Sequence, residues 1–67
     1  MNDIELYNAC LRYCKAFGEV AVHTAQYEGA KFVRDGDELE RMREHIKYDE
    51  ERLERYYNDL RDIINEE

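Results

Sequence analysis

The sequence predicts a small α+β domain, mostly helical, in the order helix, short β-hairpin, long helix. Three observations predict it. Apolar residues recur at helical spacing near the start, the period changes to alternation after Gly18, and a heptad pattern is sustained from Leu39 onward. The alternative is an all-α helical hairpin or coiled-coil dimer, because residues 21–34 also fit a helical period. At 67 residues the chain reads as one domain, 1–67. A core this small is thin, so oligomerisation is the expected source of extra stability.

The first element is a helix over residues 3–17. Asn2 with Glu5 gives the spacing of an N-terminal capping box. Ile4, Tyr7, Leu11 and Cys14 make one apolar line, and Leu6, Cys10, Tyr13 and Phe17 make its neighbour. Glu5, Asn8, Arg12 and Lys15 take the other side, and Gly18 offers a stop.

Residues 19–34 form the expected hairpin. Val20, Val22 and Thr24 alternate with Ala21, His23 and Ala25, Phe32 and Val33 favour a strand, and Gly29 supplies the turn. The long helix then covers 37–64. Asp35-Gly36-Asp37 reads as a turn, and Asp37 with Glu40 repeats the capping spacing. Leu39, Met42, Ile46, Leu53, Tyr56, Leu60 and Ile63 keep a 3-4 spacing that only Asp49 interrupts. The expected core is Tyr7, Leu11, Cys14, Phe17, Val20, Val22, Phe32, Leu39, Met42 and Ile46. A helix of about 40 Å outruns one of about 22 Å. The distal segment 53–64, with Leu53, Tyr56, Tyr57, Leu60, Ile63 and Ile64, is therefore the expected partner-binding surface.

Charge narrows the function. The net charge is −7, and residues 1–34 are neutral, with Arg12, Lys15, Lys31 and Arg34 balancing Asp3, Glu5, Glu19 and Glu28. All of the excess lies in residues 35–67. This argues against sequence-specific binding of nucleic acid, which calls for clustered Lys and Arg. No segment reads as a signal peptide or a membrane span. Cys10 and Cys14, four apart on one helix face, read as free thiols in a reducing, cytoplasmic setting.

Catalysis finds no support. The chain has no serine and no glycine-rich phosphate loop, and its carboxylates read as a solvated helix face. Cys10, Cys14, His23 and His45 contain the donor types of a metal site, but the histidines stand isolated in sequence. Neither a metal nor a cofactor is expected.

The segment order, together with Gly36-Asp37-Glu38-Leu39-Glu40-Arg41-Met42-Arg43-Glu44-His45-Ile46-Lys47-Tyr48 and then Glu51-Arg52-Leu53, resembles the gpW-type head-completion (head–tail joining) proteins of tailed phages. Leu11 to Phe17, Gly18 and Val20-Ala21-Val22 are similar to the end of that family's first helix and its hairpin. The resemblance implies a structural connector subunit in the virion neck, made in the host cytoplasm. It would form a ring that binds the portal and the next neck or tail protein. The alternative is a small acidic helical inhibitor or regulator, anti-defence or antitoxin-like, that is cytoplasmic, dimerises through the heptad seam and acts by binding protein.

Overall fold

The computed structural model describes residues 3–66. They form two antiparallel α-helices, α1 (Asp3–Ala30) and α2 (Gly36–Asn65), joined by a short turn. No strand forms among the described residues, so the helical-hairpin alternative replaces the α+β expectation.

The correction lies in residues 19–34. Residues 19–30 continue α1 as helix, and 31–34 make the turn. Gly18 and Gly29 both lie inside the helix, and no glycine adopts positive φ among the described residues. Local alternation of Val20, Val22 and Thr24 loses to a longer-range pattern. Leu6, Ala9, Tyr13, Ala16, Val20, His23, Tyr27 and Ala30 keep an unbroken 3-4 spacing, and all are buried or half-buried. That line faces the matching line on α2: Leu39, Met42, Ile46, Asp49, Leu53, Tyr56, Leu60 and Ile63, again all buried or half-buried. Two helices with facing 3-4 seams pack as an antiparallel coiled coil.

The caps explain where the helices turn. At the end of α1 the amide of Val33 donates to the Ala30 carbonyl at 3.0 Å and that of Arg34 to the same oxygen at 2.9 Å, tightening the last turn. Asp35 is the N-cap of α2, its side chain accepting from the Glu38 amide at 2.9 Å. The cap thus falls at Asp35 and not at the expected Asp37. The cap expected at Asn2 lies outside the described residues.

Among the described residues only Ala9, Ala16, Ala30 and Ile46 are buried apolar residues, so the core is one seam wide. Of the expected core, Ile46 is buried and Val20, Leu39 and Met42 are half-buried. Tyr7, Leu11, Cys14, Phe17, Val22 and Phe32 are exposed, Phe32 at 88%. The reason is geometric: one covering helix shields one face, and α2 covers the Leu6–Ala30 line. The distal segment is also affected, because α1 runs far enough to meet it. Leu53, Tyr56, Leu60 and Ile63 are half-buried in the seam, while Tyr57 and Ile64 remain exposed.

The hairpin is a rod of 49 × 14 × 11 Å with a radius of gyration of 15.3 Å. A compact domain of this length would have a radius of about 11 Å.

Candidate functional sites on two edges of the hairpin

The two edges of the hairpin, on either side of the seam, differ in chemistry. One is polar. Asp49 sits in the seam at 1% exposure, the largest fully buried side chain among the described residues. A carboxylate in that place is costly unless paired. His23, the polar position of the α1 seam, meets it through Nδ1 at the Asp49 Oδ2. Arg52, one turn along α2, reaches the other oxygen, Oδ1, at 3.5 Å and is itself held by Glu19 from α1. His45 lies one turn before Asp49, with Nε2 at 3.9 Å from Oδ2. Its ring meets the His23 ring edge-on, with centroids 4.8 Å apart.

The fold therefore gathers two histidines that stand far apart in sequence. Donor atoms of His23, His45 and Asp49 all fall within 4.8 Å of one another. A cleft of about 280 Å³ opens beside them, lined by both histidines with Gln26, Glu38 and Met42 among others. The sequence carried one signal for this arrangement. Asp49 interrupts the α2 seam, and a buried acid must find its counterpart at a polar position of the facing seam.

The other edge is apolar. Tyr13 touches both Phe17 and Tyr57, with ring centroids at 6.4 and 6.0 Å. From this cluster an exposed belt continues around α1. At about 100° per residue, Ile4, Tyr7, Leu11 and Cys14 fall on the face of α1 turned away from α2. Ile4, Tyr7, Leu11, Phe17, Tyr57 and Ile64 are 50–72% exposed. Toward the far end the same face continues through Gly18, Ala21 and Ala25, so it carries no charge from Ile4 to Ala25. At Gly18 an added Cβ would meet nothing within 4 Å.

Tyr57 and Ile64, two of the expected partner-binding residues, join this belt. The other four lie in the seam. Cys10 is half-buried and Cys14 exposed, both as free thiols. No helix among the described residues is long and apolar enough to cross a membrane. Comparison with family models, with curated proteins and with solved structures returns no match.

Proposed function

We propose that this chain is a non-catalytic helical-hairpin protein that works by association, and that a second copy covers the apolar belt. The observation that carries this reading is the bare face of α1. A helix that is apolar on opposite faces belongs inside a bundle, yet α2 covers only one of them.

Side-chain size along that face favours a second copy. Large residues stand at one end (Ile4, Tyr7, Leu11) and small ones at the other (Gly18, Ala21, Ala25). Two copies related by a two-fold axis near Cys14 would set Leu11 against Gly18, Tyr7 against Ala21 and Ile4 against Ala25. Such a patch complements itself, as a two-fold interface requires. The elongated hairpin also exposes more surface than a compact chain would. The chain exposes 5217 Å², against roughly 4,500 Å² for a compact monomer of its mass. The excess, roughly 700 Å², approaches the ~800 Å² that each partner buries in a standard interface. The charged α2 would face outward, leaving an acidic surface suited to a basic protein partner. This is the acidic-regulator reading with its dimer contact moved from the seam to the back of α1.

The connector reading drew on the order helix, hairpin and helix and on the stretch Gly36 to Tyr48 followed by Glu51-Arg52-Leu53. A continuous α1 removes the first of these supports and leaves the second, in which Leu39, Met42 and Ile46 also serve the internal seam.

Light scattering on the purified chain is expected to give twice the 8.2 kDa chain mass. A short bismaleimide should cross-link the dimer through Cys14, with loss of the product in Cys14→Ser and retention in Cys10→Ser. Gly18→Leu fits the isolated hairpin and favours helix, yet should abolish the dimer. A helical monomer at tens of micromolar, or a dimer indifferent to Gly18→Leu, would defeat the proposal.

A further inference from the structure

The polar edge supports a separate conclusion. We infer that His23, His45 and Asp49 bind one divalent transition-metal ion, zinc foremost, clamping α1 to α2 near mid-length.

The donor set comes first. Two imidazole nitrogens and a carboxylate oxygen suit zinc, cobalt and nickel better than calcium or magnesium, which prefer oxygen alone. Ligand atoms around a tetrahedral zinc at about 2.0–2.2 Å lie about 3.3–3.5 Å apart. Here they fall within 4.8 Å. His45 closes the difference most easily, because its side chain is 61% exposed and free to swing.

The surroundings fit the same reading. Buried carboxylates are paired or bind metals, and Asp49 directs one oxygen to both histidines while Arg52 holds the other. Glu19 anchors Arg52 in turn. Partners of this kind orient the carboxylate in metal centres. The adjoining cleft leaves a fourth position open to water, as in zinc sites with three protein ligands.

A polar layer that merely fixes helix register would need His23, Asp49 and Arg52 alone. It gives no role to His45, which lies on α2 one turn before Asp49 and turns toward the same carboxylate oxygen. A metal gives it one. It also gives a one-seam hairpin the staple that small domains need, since metal bound only by the folded state adds to its stability.

The test uses the full chain with Co²⁺ as a visible probe and Zn²⁺ as competitor. Expected are a d–d absorption band saturating at one Co²⁺ per chain, displacement by Zn²⁺, and a Tm raised by roughly 10 °C or more once Zn²⁺ is 100-fold above its Kd. Both effects should persist in Cys10→Ser/Cys14→Ser and vanish in His45→Ala, whose exposed side chain can be removed without disturbing the seam. Asp49→Asn should lose the band as well. Absence of a band and of a Tm shift in the natural chain would overturn the inference. So would survival of either in His45→Ala, or an equal Tm shift with Mg²⁺, which would mark simple screening of the acidic surface. The dimer can fail its test without touching this one, because all three ligands belong to one chain.

Discussion

The two helices are nearly equal in length, 28 and 30 residues, yet they are built for different places. α2 has one apolar line, and sixteen of its residues are charged, so every side away from the seam can face water. α1 has six charged residues and apolar side chains on opposite faces. α2 is therefore an outer helix by composition, while α1 has the composition of an inner one. The pair on its own leaves α1 half-covered, and the difference between the helices is the main argument for association.

The same charge placed on each face of α1 should have opposite consequences. Ala9→Asp sets a carboxylate without a counter-charge into the seam, where Ala9 is 1% exposed. Its expected cost is roughly 3–5 kcal/mol, comparable to the whole stability of so small a core. Far-UV circular dichroism should show loss of helix at 25 °C. Leu11→Asp, two residues on and half exposed, leaves the seam intact. Its expected effect falls on assembly: the Tm of the natural chain should rise with concentration, and that dependence should disappear in the variant. If the two substitutions behave alike, the faces of α1 are not distinct in function.

The same contrast explains what was legible in the sequence. α2 could be read because its seam is made of large apolar residues with a single exception, although its start falls at the Asp35 cap and not at the expected Asp37. The first half of α1 could be read as helix from its apolar lines, but not its inner face, because the seam runs through Leu6, Ala9, Tyr13 and Ala16 while Tyr7, Leu11, Cys14 and Phe17 are exposed. The second half could not, since its inner residues are Val20, His23, Tyr27 and Ala30, only one of them a plainly apolar large side chain. Their 3-4 line emerges once small alanines and polar-tipped rings are counted as seam residues. Val20, Val22 and Thr24, with β-branched side chains in alternation, meanwhile imitate a strand. Here tertiary pairing with α2 outweighs local preference. The meeting of His23 with His45 was hidden for a related reason. It depends on the register of two antiparallel helices, and that register exists only when α1 extends to Ala30.

A middle-sized test addresses the turn, which sets this register. Asp35→Ala removes the side-chain oxygen that accepts from the Glu38 amide. The expected loss is about 1 kcal/mol, read as a lower urea midpoint with unchanged m. Because the cap lies at the end of the rod remote from Ile4, Tyr7 and Leu11, the mass by light scattering should stay that of the natural chain. A change of oligomeric state in Asp35→Ala would mean that the turn, and not the back of α1, holds the assembly together.

The smallest effect separates helix propensity from interface. Gly29 lies inside α1 without positive φ, and an added Cβ would meet nothing within 4 Å. Gly29→Ala should therefore stabilise the chain by about 0.5–1 kcal/mol, through a less flexible unfolded state and a better helix former. Gly18 has the same open surroundings within one hairpin, but in the proposed dimer it receives Leu11 of the second copy, whereas Gly29 lies past Ala25, the last facing layer. Enlarging Gly29 should raise Tm with the dimer preserved, while enlarging Gly18 should lose the dimer despite the same local gain. Equal behaviour at the two glycines would show that the small residues of α1 mark no contact, leaving helix propensity as the only difference that their side chains make.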